Sequence, residues 1–424
     1  MPPPRPVPPR PAMRAPLLLA ALAAALAACD AGDPGSLYDP DATGNPAPVV
    51  SAVSPGGVVL AGIDEVTIAG QNFSPVPAEN TVLFEDGAGG VAQGTVLAAS
   101  PTELRVRVPN TPGETVRVRV AVRGARDFSN AVATPLTAAV VPFGDLDTGI
   151  QEDPRGITSG PDGTLYVTLF RLGRPVGIKR FTADGVRSDY SSQDALWSGL
   201  TLTPDGTALV GARQIRALFL LPEGDGRETF AVVPQGAGLG ALTTTPGGDV
   251  WAGGTNSSDA GGSLYRVSPD GTTAAFPFAP PVRGLASTAE ALYAATSSTS
   301  GGQVTASAVY RFPFAADGSI GEGEVIYDVT ASLGVGVGAT SVAVAQDGTV
   351  FVGTTAADPV IQVTPDGAAA PLYPGVLPSP ITALAWGLGS KLYAIQGTAD
   401  LQTDPVGDLF VIETRRPGPF SGSS

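Results

Sequence analysis

The sequence contains 424 residues, a length typical of two or three domains. Its net charge of −15 leaves no basic surface for nucleic acid, so we predict no nucleic-acid partner. Histidine is absent and cysteine occurs once, which excludes histidine-dependent catalytic triads, HExxH zinc sites, an intrachain disulfide and a cysteine-rich metal cluster.

The N-terminal segment has the features of a bacterial secretion signal. Three arginines precede an uncharged run over residues 15–28. At 1.5 Å per residue this run spans about 21 Å, less than the roughly 30 Å of a hydrocarbon core. It ends in Leu26-Ala27-Ala28-Cys29, which resembles the lipobox of bacterial lipoproteins. That resemblance implies a signal peptide over residues 1–28 and acylation of Cys29; an ordinary signal peptide cleaved nearby is the alternative.

Residues 29–46 contain Asp, Gly, Pro and Ser with hardly any apolar side chains. Such a segment cannot bury enough surface to offset its ordering entropy, so we predict a flexible tether that begins at the lipidated cysteine. The acyl chains are then the predicted contact with the membrane. The predicted location is the bacterial cell envelope, facing the periplasm or the cell surface.

Residues 47–137 contain about seven short β-rich runs separated by turn residues, a pattern typical of a sandwich. The run from Thr115 to Val122 alternates Val with Arg, which predicts one buried and one solvated face. The strings Val66-Thr67-Ile68-Ala69-Gly70-Gln71-Asn72-Phe73 and Asn80-Thr81-Val82-Leu83-Phe84 resemble the IPT/TIG family. This resemblance implies an immunoglobulin-like domain that spaces, stacks or adheres and carries no catalytic residues.

Beyond residue 137 one unit of four apolar pieces recurs. Each unit has an aromatic residue or leucine at an equivalent position, which we call its marker: Tyr166, Leu209, Trp251, Tyr293, Phe351 and Tyr393. Successive markers are 42 or 43 residues apart, except for one step of 58. Four strands in a period of about 42 residues are typical of a propeller blade. We therefore predict an all-β protein with a six-bladed β-propeller over residues 138–416 and a disordered tail over 417–424; a parallel β-helix is the alternative.

The ends of the repeat predict how the ring closes. The last unit stops after its third strand, near 408–412, and an orphan strand at 139–143 precedes the first unit. Pairing these two segments would complete the sixth blade and remove both sheet edges.

The units resemble NHL-repeat and gluconolactonase-like propellers through Pro154-Arg155-Gly156-Ile157 and the recurring Pro-Asp-Gly strings, such as Thr203-Pro204-Asp205-Gly206. In gluconolactonase-like enzymes a Glu, an Asn and an Asp hold a divalent cation. Here Glu152 keeps the Glu, Ser198 stands at the Asn position, and the third unit offers no Asp. We therefore predict no metal and no cofactor. The Asp-Gly pairs are predicted to be hairpin turns on the opposite face.

The face built by the segments that enter each first strand is the predicted binding face, with Arg213 further from the axis. The candidate ligand-binding residues near the channel are Glu152, Arg155, Ser198, Arg283 and Ser341. No catalytic residue is predicted, and we expect the chain not to be an enzyme. The predicted function is a membrane-anchored lipoprotein that acts as a non-catalytic scaffold for a protein, glycan or small-molecule ligand, with the IPT/TIG-like domain as spacer or adhesion module. The alternative is a divalent-cation-dependent hydrolase or lactonase.

Overall fold

The computed structural model describes most of the chain after residue 43. The described ranges are 44–146, 152–171, 174–192, 195–234, 237–256, 263–397 and 407–419. The predicted signal peptide, Cys29, most of the predicted tether and the end of the predicted tail lie outside these residues. Within the described ranges, no helix has the length and apolar character needed to cross a membrane.

The N-terminal domain is a seven-stranded antiparallel structure. Its strands are β1 (Val49–Ser54), β2 (Glu65–Gln71), β3 (Asn80–Glu85), β4 (Val91–Ala99), β5 (Glu103–Arg107), β6 (Gly113–Val122) and β7 (Val132–Leu136), with a 3₁₀ turn at Pro77–Glu79. The strand order is β1-β2-β5-β4-β3-β6-β7. The first half of β4 pairs with β3 and its second half with β5, so this strand joins the two halves of the sandwich.

The core of this domain is formed by alternate residues of the strands. Val116, Val118 and Val120 of β6 are buried, whereas Arg117 between them is exposed, which confirms the predicted alternation. At the crossing in β4, a Cβ on Gly94 would lie 2.7 Å from Phe84 and from Val106, so only glycine fits there. The predicted immunoglobulin-like sandwich is confirmed.

Strands within residues 140–142 and 152–413 form six four-stranded antiparallel sheets. The chain first forms β8 (Val140–Pro142), and blade 1 then has β9 (Glu152–Ser159), β10 (Leu165–Arg171), β11 (Arg174–Phe181) and β12 (Arg187–Ser191). Blade 2 has β13 (Gly199–Leu202), β14 (Leu209–Ala212), β15 (Ala217–Leu221) and β16 (Glu228–Val232). Blade 3 has β17 (Ala237–Thr244), β18 (Val250–Asn256), β19 (Ser263–Val267) and β20 (Thr273–Pro277). Blade 4 has β21 (Val282–Ser287), β22 (Ala291–Ser300), β23 (Gln303–Pro313) and β24 (Glu324–Asp328). Blade 5 has β25 (Ala339–Val344), β26 (Val350–Thr354), β27 (Val360–Val363) and β28 (Ala369–Pro371). Blade 6 has β29 (Ile381–Trp386), β30 (Lys391–Gln396) and β31 (Asp408–Glu413), and β8 is its fourth strand.

The first strand of each blade lies closest to the axis. Strands β9, β13, β17, β21, β25 and β29 contact one another in that order, and β29 returns to β9. The predicted six-bladed propeller is therefore confirmed. All six repeat markers lie on the second strands of their blades, as the period predicted.

The ring closes through β8. This strand pairs with β31 in the register Phe410↔Pro142, Val411↔Val141 and Ile412↔Val140. The next residue, Phe143, donates its backbone N–H to the carbonyl of Leu409 at 2.7 Å. Its ring lies 6.2 Å from that of Phe181 in blade 1 and 4.6 Å from that of Tyr393 in blade 6. The predicted closure is confirmed, and Phe143 fills the seam between the first and last blades.

The long step in the repeat corresponds to two additions in blade 4. Strands β22 and β23 form an extended hairpin of ten and eleven residues. A short helix, α1 (Val329–Leu333), follows β24, and the Asp328 side chain caps it by accepting the N–H of Ala331 at 2.9 Å.

Short connections join the two domains. The N–H of Thr137 donates to the Val59 carbonyl at 2.8 Å, within the sandwich, whereas the carbonyl of Ala139 accepts from Glu413 at 2.9 Å, within the propeller. An ion pair between Asp64 of the sandwich and Arg415 beyond β31 adds a second link.

Candidate functional site

Five of the six first strands are irregular near the end where the chain enters the blade. The pairing with the second strand skips one residue in β17, β21, β25 and β29 and two residues in β9, a pattern that identifies a β-bulge. The first residue left without a cross-strand partner at each bulge is Arg155, Gly240, Arg283, Thr340 or Thr382. In blade 2 the equivalent residue is Ser198, which lies directly before β13. We call these six the mouth residues. All of them are exposed or half-buried.

Two of the six mouth residues are arginines, and they belong to blades 1 and 4. In a ring of six, these blades face each other across the axis. A bulge re-aims the side chain it carries, and bulges are common next to functional sites. The mouth therefore carries an arginine on each of two opposing blades, and hydroxyl-bearing residues or glycine on the other four.

Arg155 is held by a carboxylate and an aromatic ring. Its Nη2 lies 2.5 Å from Oδ2 of Asp153, and its guanidinium lies 5.6 Å from the centre of the Phe170 ring. Burial raises the pKa of Asp153, and the neighbouring guanidinium only partly offsets this effect. The Arg155 side chain is still 42% exposed, so part of its donor set faces solvent.

Arg283 has fewer partners. Its Nε and Nη2 donate to the carbonyl of Ser297 at 3.4 and 3.3 Å. No carboxylate within the described ranges lies at ion-pairing distance from it. Burial lowers the pKa of Arg283 below its ordinary value, and a guanidinium stays charged in proteins at neutral pH. Arg283 is thus an exposed positive charge at the mouth.

Glu152 lies behind the mouth rather than on it. Its carboxylate is fully buried: Oε1 contacts Nη2 of Arg171 at 3.0 Å and Nη2 of Arg187 at 2.7 Å, and Oε2 contacts Nη1 of Arg187 at 2.6 Å. The bond to Glu152 raises the pKa of Arg187. The residue that resembled a cation ligand in sequence is therefore one member of a buried ion-pair cluster that joins β9, β10 and β12.

The two candidate serines differ in position. Ser198 is half-buried at the mouth, and its Oγ donates to the Ala212 carbonyl at 3.3 Å. Ser341 is buried one residue beyond the mouth, and its Oγ finds no hydrogen-bond partner in the described part of the chain. The bulge in β25 shifts the register by one residue, so Thr340 and not Ser341 is the mouth residue of blade 5.

Sequence reasoning missed three mouth residues, namely Gly240, Thr340 and Thr382. The signal that could have found them is the repeat itself, because the six positions recur at 42 or 43 residues with one step of 57. The irregular pairing that exposes them could not be predicted from the alternation of apolar and polar residues.

A cavity of about 340 Å³ opens beside the mouth between blades 1 and 2. Phe170, Leu196 and Trp197 form its apolar wall. Arg155, Ser198, Arg213 and Gln214 supply its polar groups. The predicted outer residue Arg213 is thus brought into one cavity with two of the predicted channel residues.

The Asp-Gly pairs lie at the other ends of the blades. The backbone N–H two residues on donates to the Asp carboxylate at 3.0 Å for Asp162, 3.2 Å for Asp205 and 2.9 Å for Asp270. The intervening glycines have φ between +67° and +82°, the left-handed region that a hairpin turn requires. These are the predicted hairpin turns. Among the described residues, no group of three or more Asp, Glu, His or Cys side chains is arranged to hold a metal ion.

Residues 48–137 match the sequence model of the IPT/TIG domain. This segment is an IPT/TIG domain. The match, together with the sandwich described above, confirms the resemblance noted in the sequence. The search of curated proteins found no match to the chain in sequence.

Several solved structures are similar to the chain in fold. A protein of unknown function from Bacteroides thetaiotaomicron is 12% identical with a TM-score of 0.46, over 88% of this chain and 99% of that one. The calcium-binding protein regucalcin from Agrobacterium tumefaciens is 18% identical with a TM-score of 0.49, over 66% of this chain and 94% of its own. A gluconolactonase from Xanthomonas campestris is 16% identical with a TM-score of 0.47, over 66% and 89%.

These findings correct one expectation. The chain was expected not to be an enzyme because it lacks histidine and two of the three cation-ligand positions. The expectation that the chain is not an enzyme is wrong, because the solved structures of similar fold include a gluconolactonase. The confirmed statement is the coarser one: the chain combines an IPT/TIG domain with a six-bladed propeller.

Proposed function

We propose that the propeller binds an anionic ligand at the mouth of its channel, and that an acylated Cys29 holds the protein in the bacterial cell envelope. The observation that carries the binding proposal is the pair Arg155 and Arg283. They occupy equivalent bulges in opposing blades, and both are exposed to solvent.

The charge of the protein makes this pair distinctive. The chain carries a net charge of −15, so most of its surface disfavours anions. Two exposed guanidinium groups on the same face of the propeller make that face locally positive, and nearby low-dielectric surface strengthens their field. Guanidinium groups also bind carboxylate and phosphate oxygens through paired hydrogen bonds, which favours such groups over chloride.

The remaining mouth residues suit a polar ligand. Ser198, Thr340 and Thr382 carry hydroxyl groups that can donate and accept, and Gly240 leaves space beside them. These groups would hydrogen-bond a small organic anion, an acidic glycan or an acidic peptide side chain. The IPT/TIG domain then serves as the spacer between the membrane tether and this binding face.

The alternative function, a cation-dependent hydrolase, is less well supported by the contacts of Glu152. Both oxygens of Glu152 are taken by arginine side chains. A hard cation needs about six oxygen ligands, and two guanidinium groups in contact with this carboxylate would repel one.

Calorimetric titration of the chain from residue 30 onward, which contains every described residue, tests anion binding. The probes are inorganic phosphate, citrate and an oligogalacturonate. We expect Arg155→Ala and Arg283→Ala each to weaken binding about tenfold, since a charge-assisted hydrogen bond is worth roughly 1.5–3 kcal/mol. Arg117→Ala, an exposed arginine on the IPT/TIG domain, is the matched control. Equal affinity in all three variants, or no binding of any probe, would refute the proposal.

A further inference from the structure

The cavity between blades 1 and 2 differs from the rest of the mouth because one of its walls is apolar. We propose that it binds the apolar body of an amphipathic anion, an aryl or branched-alkyl carboxylate or phosphate, whose charged group contacts Arg155. This inference rests on the proposed anion binding and names the class of ligand.

The size and lining of the cavity fit such a molecule. Its volume of about 340 Å³ falls in the range of small-molecule sites, which are mostly apolar with a few placed polar groups. At roughly 30 Å³ per water molecule, the space equals about eleven waters, enough for an organic anion of about fifteen non-hydrogen atoms. The ring of Phe170 and the indole of Trp197 form a wall that is itself well packed in the blades.

Leu196 provides the exposed part of the apolar wall. Its side chain is 56% exposed although it lies in the segment that leads into β13, directly before the buried Trp197. Leu196 thus extends the apolar wall to the solvent-facing rim of the cavity, where a bound ligand would cover it.

The second guanidinium group of the cavity is held in place by an aromatic ring. Arg213 lies 5.6 Å from the centre of the Phe219 ring, as Arg155 does from that of Phe170. In each case the guanidinium carbon lies over the ring, a cation–π contact that itself uses none of the N–H donors. Within the described ranges Arg213 forms no ion pair with a carboxylate.

The loop that carries Arg213 is fixed in a strained conformation. Gln214 has φ of +60°, the left-handed region that residues other than glycine rarely adopt. Its N–H donates to the Leu239 carbonyl at 2.7 Å, and the N–H of Leu239 returns a bond to the carbonyl of Ile215 at 3.1 Å. Two bonds to blade 3 thus hold the loop, and such strain is concentrated at ligand-binding positions.

The test compares three probes on the chain from residue 30 onward: inorganic phosphate, 1-naphthyl phosphate and 1-naphthol. We expect 1-naphthyl phosphate to bind at least tenfold more tightly than phosphate, and 1-naphthol to bind more weakly than the phosphate ester. Leu196→Ser should weaken 1-naphthyl phosphate binding at least fivefold and change phosphate binding less than twofold. Arg213→Ala removes a guanidinium that faces the anion, so it should weaken the binding of both phosphate and 1-naphthyl phosphate at least threefold.

Matched controls separate this proposal from the broader one. Val335→Ser removes another exposed aliphatic side chain, in a loop before β25, and Arg117→Ala removes an exposed arginine; both should leave all three affinities unchanged. If phosphate binds through Arg155 but the naphthyl group adds no affinity, the amphipathic ligand is refuted and anion binding stands. If no anionic probe binds, both proposals fail. Unchanged melting temperatures of the two cavity variants show that they are folded.

Discussion

The carboxylate of Asp64 in the IPT/TIG domain and the guanidinium of Arg415 beyond β31 face each other in a two-point ion pair, with Nη1 at 2.9 Å from Oδ1. Asp64 also accepts the N–H of Leu60 at 2.6 Å, so its orientation is fixed within its own domain. The bond to Asp64 raises the pKa of Arg415. Together with the short connection at 137–139, this pair attaches the sandwich to the blade that closes the ring.

Removal of this pair should loosen the link between the domains. We expect a coupling free energy of about 1 kcal/mol or less between Asp64→Ala and Arg415→Ala, because Arg415 is half exposed and solvent screens the pair. A double-mutant cycle by denaturant unfolding measures it and cancels the loss of the Leu60 bond. A coupling indistinguishable from zero would show that the ion pair does not contribute.

The seam residue Phe143 should be important for stability. Phe143→Ala removes a ring that is 9% exposed and packs between blades 1 and 6, so we expect a loss of about 3 kcal/mol in the free energy of unfolding. Phe128→Ala is the matched control, because Phe128 is 55% exposed on the IPT/TIG domain. Denaturant unfolding followed by fluorescence compares the two. Similar effects of both variants would contradict the role of β8 and Phe143 in closure.

The hairpin turns predict sensitivity to acid. The N–H of Thr272 lowers the pKa of Asp270, and the hydroxyls of Thr203 and Ser319 do the same for Asp205 and Asp317. A carboxyl with a lower pKa in the folded chain stabilises the fold above its unfolded pKa of about 3.9, and this contribution is lost as the pH falls through the folded value.

We therefore expect the melting temperature to fall below about pH 4, and to fall less in Asp270→Asn, which cannot lose a carboxylate at that turn. Asp153 acts in the opposite direction, because burial raises its pKa and protonation then favours the folded chain. Thermal unfolding between pH 2.5 and 6 measures both slopes. An identical slope in Asp270→Asn and the unchanged chain would contradict the prediction.

Glu152 should be needed for stability and not for anion binding. Glu152→Gln leaves Arg171 and Arg187 without their shared carboxylate, so we expect a loss of about 1.5–3 kcal/mol in the free energy of unfolding. Citrate affinity should stay within twofold of the unchanged chain. The exposed Glu228→Gln is the control. A rise in melting temperature with Ca²⁺ that Glu152→Gln abolishes would instead support a cation at this residue.

The anchor is tested at Cys29. We expect Cys29→Ala to move the protein from the membrane fraction to the soluble fraction, because no acyl chain can then be attached. Asp30→Ala alters the next residue and should leave the protein in the membrane fraction. Immunoblots of fractionated cells measure the distribution. Membrane retention of Cys29→Ala would exclude the lipobox interpretation.

The sequence predicted the fold in detail because the period of 42 residues reports every blade directly. Each marker from Tyr166 to Tyr393 lies on a second strand, and the pairing of β8 with β31 follows from counting strands at the two ends. Apolar periodicity determines which residues are buried, so these features depend on local pattern alone.

The site was predicted only in part. Arg155, Ser198 and Arg283 are mouth residues, but Ser341 is one residue away from the mouth, because a bulge inserts a residue without any mark in the hydrophobic pattern. The burial of Glu152 depends on Arg187, 35 residues later on the outermost strand of the same blade. Such a pairing is a property of the folded sheet and has no signature in sequence spacing.

The closure of the ring by β8 has a consequence for biosynthesis. The ribosome makes this strand before any complete blade, yet its partner β31 is made last, so β8 stays without its native neighbour while almost the whole propeller is synthesised. Bringing such distant segments together is entropically costly, and proteins with many contacts of this kind fold slowly. An incomplete chain would carry two open sheet edges, which are templates for aggregation. Folding factors that hold nascent or newly exported chains should therefore affect the yield of this protein more than its final stability.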